Sequence, residues 1–460
     1  MSAPEHAPDA DARGVRAAQL LRVRNIWLAP LLLATVFVGL MSVIYVGSVI
    51  NPTGHLRGLP VLIVDTDQGA VAGGQYVNIG RSLTSALRQS PAVSSRLALR
   101  SVTSAQAQAT MDRAGAYATL VLPGTLTGSA LLAAGRSGEG AMPPPRAQVT
   151  LEENLRLGSL GVSLAAGVLA PAIAAISPKI GTRLAPLATT SARSDPVLSA
   201  LLADPVALTT ATYRPLPDHS ALGLSAFYVA LLTILSGFIG ATLVNNSIDA
   251  ALGYATSELG PRWRQRRPVA IDRRQTLFVK WAVAAVAAPI LTGVLLLVAV
   301  GALSMYAPHV VELWALTALA SLMIAFGTLA LFAAFGSVGQ LLAMIVLVYL
   351  SLASSGGTIP IQALPAVFNL VGHVEPLRQV LDGTRAIMYF GARGDAGLTR
   401  SLTVIALELV FWALVGFGAT SWYDRRKLAR ISPDILSSIE RTIDQSIAER
   451  SRGPESDTDQ

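Results

Sequence analysis

Long apolar segments constrain the fold of this chain more than any other feature of its sequence. One segment covers residues 27–50, a mixed region at 51–220 follows, and further apolar segments recur from residue 221 nearly to the end. A helix needs roughly 20 apolar residues to cross a bilayer, and these segments approach that length. The sequence therefore predicts a polytopic membrane protein with a large domain inserted between its first two spans.

Six segments have the composition expected of membrane-spanning helices. They are residues 27–50, 221–244, 277–303, 313–335, 341–353 and 402–422. Hydrophobic residues make up 52% of the 460 residues and charged residues only 14%, which leaves too little polar surface for a soluble protein. A barrel would need alternating polar residues, which these segments lack. The predicted fold class is an α-helical polytopic membrane protein with about six transmembrane helices and an extracytoplasmic α/β domain inserted between helices 1 and 2.

Basic residues flank the predicted spans on one side of the membrane. They precede the first span, fill the loop after the second and follow the last: Arg13, Arg16, Arg22, Arg24, Arg262, Arg264, Arg266, Arg267, Arg273, Arg274, Arg425, Arg426, Lys427 and Arg430. The positive-inside rule assigns this side to the cytoplasm, so both termini are predicted to be cytoplasmic, in a plasma or inner membrane, with the inserted domain outside. The same clusters account for the net charge of +7 without a nucleic-acid partner.

The inserted region alternates between strand and helix patterns. Residues 59–65, 97–102, 116–122 and 147–151 are predicted strands, and helices predicted at 154–176 and 197–208 form a stalk that returns to the bilayer. The predicted boundaries are residues 1–25 for a cytoplasmic N-terminal segment, 26–50 for transmembrane helix 1, 51–219 for the extracytoplasmic α/β domain with its stalk, 220–424 for a bundle of helices 2–6 with a re-entrant outer hairpin at 354–398, and 425–460 for a cytoplasmic amphipathic helix and a disordered tail.

The usual signatures of catalysis and of metal or cofactor binding are missing from the sequence. None of its three lysines stands in a G-x-x-x-x-G-K-[ST] loop, no G-x-S-x-G or H-E-x-x-H occurs, and the five histidines lie far apart. Asp65 and Asp67 are spaced as in a calcium loop, but Gly69 and Tyr76 stand where further oxygen ligands are needed, so a turn is predicted. We therefore predict no enzyme, no catalytic residue, no cofactor and no metal site.

The segment after the fifth predicted span breaks its helix with small polar residues. The run SSGGTIP at 354–360 continues directly from a membrane helix, and irregular backbone at such depth must line a cavity or be buried in protein. A helix predicted at 377–390 then carries Arg378, Asp382 and Arg385 on one face. This charged trio is predicted to form either a surface salt-bridge ladder or a substrate contact.

At this segment the chain resembles the YhgE/Pip branch of ABC-2-type membrane proteins. The run SSGGTIPIQALPAVFNLVGHVEPLRQVLDGTRAIMYFG carries the resemblance, and the strand and turn at 59–70 support it. Within that branch the chain resembles bacterial relatives of fungal nitrosoguanidine-resistance membrane proteins. The resemblance implies a permease subunit, working as a homodimer or heterodimer, that exports an amphipathic small molecule, lipid or drug with the help of a separate cytoplasmic ATP-binding subunit.

The resemblance also implies positions for two sites. Its re-entrant turn maps to a substrate path at Ser355, Gly356, Gly357, Thr358 and Pro360. The loop at 245–275 lies where such permeases present a coupling helix to the ATPase, and its candidate residues are Arg262, Trp263, Arg264, Arg266 and Arg267. Arginines there equally fit contact with anionic membrane lipids, at roughly 1 kcal/mol per residue, so both interpretations stay open.

Glu408 is the one carboxylate well inside a predicted span. An acid in a membrane is costly, so Glu408 is a candidate for a proton relay or for a polar contact in the substrate path. A hydrogen-bonded glutamate that fixes helix packing is an equally good interpretation. Two further functions therefore stay open beside the ATP-driven permease: a proton-driven exporter and a non-transporting membrane-anchored receptor or scaffold.

Overall fold

The computed structural model describes residues 21–135, 145–259, 262–264 and 266–428, together with residues 430, 437, 441 and 444. The predicted N-terminal segment up to residue 20 and most of the predicted tail helix lie outside the described residues. The strands are β1 (Leu59–Asp65), β2 (Ala70–Ala72), β3 (Gln75–Val77), β4 (Leu97–Ser101), β5 (Ala118–Leu122), β6 (Ala147–Glu153), β7 (Val206–Thr212), β8 (Ser257–Leu259) and β9 (Arg262–Arg264).

Helices dominate the chain. They are α1 (Arg24–Val49), α2 (Pro52–His55), α3 (Ile79–Gln89), α4 (Pro91–Ser94), α5 (Ser104–Met111), α6 (Leu126–Gly135), α7 (Ser159–Leu184), α8 (Thr190–Ser194), α9 (Pro196–Ala203), α10 (Ser225–Ala251), α11 (Arg273–Leu296), α12 (Val310–Phe335), α13 (Ser337–Ala343), α14 (Ser351–Ser354), α15 (Ala366–Val371), α16 (Pro376–Tyr389) and α17 (Leu398–Arg425). The π-helical turns Leu297–Ala302 and Met344–Leu350 continue α11 and join α13 to α14.

Seven helical segments of the described chain are long and apolar enough to cross a membrane. They are Pro30–Val49, Ser159–Leu187, Ser225–Ala251, Arg273–Ala302, Val310–Phe335, Ser337–Ser354 and Leu398–Arg425. Six of them overlap the six segments predicted from hydropathy, and the seventh contains α7. Because this many apolar helices of bilayer length occur in one chain, the protein is a polytopic membrane protein.

The sheet domain, defined here as β1, β4 to β7 and the helices packed on them, contains a five-stranded sheet. The strand order is β4-β1-β5-β6-β7, with β1 parallel to β4 and β5, β6 antiparallel to β5, and β7 parallel to β6. Side chains of β1 alternate between two cores: Val61 and Ile63 pack with α3 and α7, whereas Leu62 and Val64 pack with α5. Burial on both faces explains why β1 is an unbroken apolar run.

The prediction of a helical stalk is wrong at two points. The predicted helix at 197–208 ends at Ala203, and Val206–Thr212 is a strand that pairs along its whole length with β6. The helix α7 packs on the sheet through Leu169, Ile173 and Ile180. Along α7, whose residues are all described, no large apolar side chain is exposed, whereas α1, α11 and α17 expose many. Its hydropathy therefore reflects packing against the sheet.

The turn predicted at Asp65–Gly69 is confirmed, and Asp67 is its central group. The Asp67 carboxylate accepts hydrogen bonds from the Gly80 amide at 2.8 Å, the Thr127 amide at 3.0 Å and the Thr127 hydroxyl at 2.5 Å. It thereby joins the first turns of α3 and α6 to the end of β1. Among the described residues, no group of three or more His, Cys, Asp or Glu side chains is arranged to hold a metal ion.

The helix bundle is built around α12, which packs against α10, α11, α16 and α17. Helix α1 is peripheral and contacts the π-helical turn before α14, where Phe37 meets Tyr349 edge to face at 6.0 Å. At one end of the bundle the Asp424 carboxylate accepts from the backbone amides of Arg273 and Arg274 at 3.2 and 3.1 Å. The loop after α10 and the chain after α17 therefore meet at this end, which we call the basic end.

Helix α10 is longer than predicted. The predicted span ends at residue 244, but the helix continues through Asn245 and Asn246 to Ala251. Asn245 and Asp249 face Lys280 of α11, whose ammonium lies 2.7 Å from the Asn245 side-chain oxygen and 2.8 Å from the Asp249 carboxylate. These polar groups have partners inside the bundle, so they lie within the helix and do not mark its end.

We predict that Asp67→Ala lowers the free energy of unfolding of the sheet domain by about 3 kcal/mol, because it removes the charged acceptor of the Gly80 and Thr127 donors. Pulse proteolysis of the purified protein in urea and mild detergent measures this quantity. The matched control is Asp65→Asn, which keeps the acceptor for the Asp67 amide and is expected to change stability by less than about 0.5 kcal/mol. Equal losses in the two variants would contradict the prediction.

Candidate functional site

The helix-breaking segment after α14 runs back through the protein and joins the sheet domain. Ser354 and Ser355 are buried, and Ile359, Ile361 and Leu364 belong to the same apolar core as the sheet. The Arg57 amide donates to the Gln362 carbonyl at 2.8 Å, which adds a backbone contact between the two parts. The irregular backbone is thus buried in protein, as its sequence required. We call residues 355–364 the junction segment.

Two glycines allow the junction segment to approach its neighbours. Gly356 has a φ of +71°, a backbone conformation that favours glycine, and a Cβ on Gly357 would overlap the ring of Phe227 on α10. The Gly357 carbonyl accepts from Nη2 of Arg385 at 3.1 Å, and its amide donates to the Ser355 hydroxyl at 3.2 Å. The turn is therefore held between α10 on one side and α16 on the other.

A cavity of about 280 Å³ lies where the junction segment, α16, the start of α17 and the sheet domain meet. We call it the junction cavity. Its polar lining residues are Arg113, Tyr117, Ser355, Gln362, Arg378, Asp382, Arg385, Asp395 and Arg400. The lining therefore carries four arginines against two aspartates, so positive charge exceeds negative charge by two.

The arginines of the junction cavity differ in their partners. Nε of Arg113 lies 2.8 Å from the Asp395 carboxylate, and Nε of Arg378 lies 3.6 Å from that of Asp382. Among the described residues, no carboxylate forms an ion pair with Arg385. Its side chain is buried, and its Nε has no hydrogen-bond partner. An unpartnered donor on a buried guanidinium is costly, which distinguishes Arg385 from the other arginines of the lining.

Burial also affects a carboxyl group and a phenol that line the cavity with Arg385. It raises the pKa of the Asp382 carboxyl above its usual 3.8, against the opposing effect of Arg378, Arg385 and Arg400. It also raises the pKa of the Tyr117 hydroxyl above 10.0, so this phenol stays protonated at neutral pH and can act as a hydrogen-bond donor. The cavity thus presents arginine and tyrosine donors in a mostly buried setting.

The charged trio predicted on α16 is only partly a ladder. Arg378 and Asp382 form a loose ion pair, but Arg385 donates to the Gly357 backbone instead of to Asp382. All three residues line the junction cavity. A substrate contact, the alternative that the sequence left open, would therefore be made in this cavity.

The residues predicted for a substrate path occupy different positions. Ser355 and Gly356 line the junction cavity. The Gly357 carbonyl accepts a hydrogen bond from Arg385, which also lines it. Pro360 is buried, and Thr358 is exposed. Their assignment to a path stays a prediction. The lining residues contributed by the sheet domain and by α17, such as Tyr117 and Arg400, were missed. They stand more than 200 residues apart in sequence, and no local pattern joins them.

Glu408 lies away from the junction cavity, on α17, and one of its carboxylate oxygens is buried without a hydrogen-bond partner. A second buried acid, Glu375, precedes α16 and accepts from the Ser351 hydroxyl at 2.7 Å. Burial, with a contribution from the charge of Glu408, raises the pKa of Glu375 well above its usual 4.5. No sequence pattern singled out Glu375, because a residue before a proline is typical of a helix boundary.

A larger cavity, of about 580 Å³, opens at the basic end of the bundle. Lys280, Asn245 and Asp249 line it, and Arg430 joins them through an Nη2 that lies 2.6 Å from the Asp249 carboxylate. The Arg430 guanidinium also stacks on the Tyr254 ring at 4.2 Å. The chain after α17 therefore contributes to the wall of this basic-end cavity.

Between the end of α10 at Ala251 and the start of α11 at Arg273, the described part of the predicted coupling loop contains no helix. Strands β8 and β9 pair as an antiparallel hairpin, with Glu258 opposite Trp263. The backbones of Arg262, Trp263 and Arg264 belong to β9, and their side chains lie outside the described part of the structure. Arg266 and Arg267 are exposed, and Arg267 forms an ion pair with Asp444. The expected coupling helix is thus replaced by a hairpin.

A model of the protein family described as "Protein of unknown function (DUF3533)" matches residues 29–415. The chain is therefore a polytopic membrane protein of that family. The match runs from α1 into α17, so the sheet domain and the bundle belong to one family unit. No curated protein and no solved structure matches the chain.

We predict that Gly357→Ala lowers the midpoint of thermal unfolding, because the added methyl group overlaps Phe227 and overpacking of this kind costs about 1–3 kcal/mol. The midpoint is measured on the purified protein in detergent. Phe227→Leu should restore part of the loss in the double variant by making space. Gly47→Ala on α1, where the added atom meets open space, is the control that should show no loss.

Proposed function

We propose that this protein is the membrane subunit of an exporter for amphipathic molecules. In this proposal α1, α10, α11, α12, the segment from α13 to α14, and α17 are six membrane spans. The sheet domain faces the outside, and both termini face the cytoplasm. Packing of α7 on the sheet, with no large apolar side chain exposed, supports its exclusion from the spans. The basic residues gathered at one end support the orientation.

The observation that carries the proposal is a cavity at each end of the bundle with a closed core between them. The basic-end cavity lies among α10, α11, α12, α13 and α17, and the junction cavity lies at the opposite end beside the sheet domain. Ile234 in the interior of α10 and Met323 and Ile324 in the middle of α12 are buried in one apolar cluster. Alternate opening of two such cavities is what a transport protein requires.

The energy source in this proposal is a separate ATP-binding subunit, because the sequence carries no phosphate-binding loop of its own. Such a subunit would dock at the basic end, where the β8–β9 hairpin and the exposed Arg266 and Arg267 lie. Contact between these arginines and anionic lipid headgroups is the competing interpretation of the same surface.

We predict that tagged protein purified from its native membrane in mild detergent brings with it a stoichiometric subunit that hydrolyses ATP. Replacement of Arg264, Arg266 and Arg267 by alanine should abolish this association, because it removes the charges on the docking surface. Arg100→Ala, an exposed change in the sheet domain, is the control. A pure homo-oligomer without ATPase activity would contradict the ATP-driven mechanism.

A proton-driven exporter is the second candidate, and the buried Glu375 together with the half-buried Glu408 favours it. Buried acids inside a bundle commonly serve proton relays. In this mechanism Glu408→Gln and Glu375→Gln each abolish export at matched expression while ATPase association is absent. Retained export in both variants would remove this candidate and leave the two acids with a packing role.

Stability should depend on pH through Glu375. Because its pKa is raised, the folded state binds this proton more tightly than the unfolded state, so the stabilisation is complete below about pH 4 and is lost as pH rises through the folded pKa. We predict that Glu375→Gln weakens this fall in the thermal midpoint with rising pH. Glu312→Gln, at an exposed acid, should leave the pH dependence unchanged.

A further inference from the structure

The charges around the junction cavity do not balance within the protein. Asp395 is shared between Arg113 and Arg393, both of which approach it to within 3.0 Å. Asp382 is the remaining acid, and Arg378 is the arginine within ion-pair distance of it. Arg385 and Arg400 attract Asp382 only over a longer range. One carboxylate thus faces three arginines, which leaves the cavity with a positive excess.

Arg385 is the group for which this excess matters most. Its relative exposure is 7%, so it has lost most of its hydration, and burial of an uncompensated charge costs several kcal/mol. One Nη donates to Gly357, which fixes the orientation of the guanidinium, while Nε has no partner. The Arg385 guanidinium thus lines the cavity in a fixed orientation with no described carboxylate paired to it, and it is arranged to bind an oxyanion from outside the protein.

The neighbouring groups suit an oxyanion. The Tyr117 phenol lines the same cavity and can donate a hydrogen bond, and Arg400 is exposed, so water and ligands reach that side. The hydrogen bond from Arg400 to the His373 carbonyl is long, at 3.4 Å, which leaves its guanidinium available. A volume of about 280 Å³ is below the usual range of roughly 300–1,000 Å³ for a whole ligand, but it fits a headgroup.

We propose that the junction cavity binds the anionic headgroup of an amphiphile, a phosphate or a carboxylate, with Arg385 and Arg400 as its charged ligands and Tyr117 as a neutral donor. The apolar part of the molecule stays outside the cavity. This inference rests on the proposed export function, for which it names the substrate class. The same chemistry is presented by a free anionic amphiphile and by the headgroup of a membrane lipid.

Direct binding tests the inference without transport. The full chain in nanodiscs of phosphatidylcholine is titrated with dodecyl phosphate, and dodecyltrimethylammonium serves as the cationic comparison. We expect saturable binding of the phosphate only, with affinity at least about 10-fold lower in Arg400→Gln and in Arg385→Gln, because a charge-assisted hydrogen bond contributes about 1.5–3 kcal/mol. Arg100→Gln removes the same charge from an exposed site of the sheet domain and should bind like the unmodified protein.

Arg400→Gln keeps the test decisive, because Arg385 also holds Gly357 and its replacement can disturb the fold. Arg385→Lys serves as a second variant that keeps the charge and loses the planar fork. Unchanged affinity in Arg400→Gln together with Arg385→Lys overturns the inference. Equal binding of the cationic amphiphile also overturns it, since hydrophobic partition would then explain the signal.

Competition identifies the source of the headgroup. Inorganic phosphate that displaces dodecyl phosphate indicates a site for free anions, whereas displacement by nanodiscs that contain phosphatidylglycerol indicates a lipid headgroup, and either result supports the anion site. Export assays in cells separate the two proposals. Binding that depends on Arg400 without any export would leave the site and overturn the proposed function. Export unaffected by Arg400→Gln, when binding is lost, would overturn the substrate assignment alone.

Discussion

The structure depends on the burial of the junction segment in the core of the sheet domain. Ile359, Ile361 and Leu364 follow the end of a membrane-length helix and pack in the apolar core beside the sheet. Burial of apolar side chains away from water lowers the free energy of the folded state, and here it holds the helix bundle and the sheet domain together. The glycine backbone between them is held by Arg385 and Phe227, so the position of the junction cavity follows from this packing.

Polar groups inside the apolar bundle fall into two kinds. Lys280 is satisfied by Asn245 and Asp249, and such a cluster contributes to helix packing because each charge has a partner. Arg385 and Glu408 each keep a buried atom without a partner. Unsatisfied groups of this kind are rare in folded proteins, which is why our proposals for binding and for proton transfer begin from them.

Part of the candidate site was visible in the sequence. The small, helix-breaking run after a predicted span indicated a buried turn, and the spacing of Arg378, Asp382 and Arg385 placed them on one helix face. The lining from the sheet domain was not predictable. Tyr117 lies in the segment before β5 and reads as an ordinary core aromatic, and only the tertiary structure brings it beside α16.

Hydropathy determined where the membrane-length helices and the central strand occur, because both depend on the local run of apolar side chains. It did not determine what each apolar helix packs against. The structure placed α7 on the sheet, turned residues 206–212 into a strand beside β6, and extended α10 through Asp249. Each of these outcomes depends on partners distant in sequence: a sheet face, an edge strand with free hydrogen-bonding groups, and a lysine on the next helix.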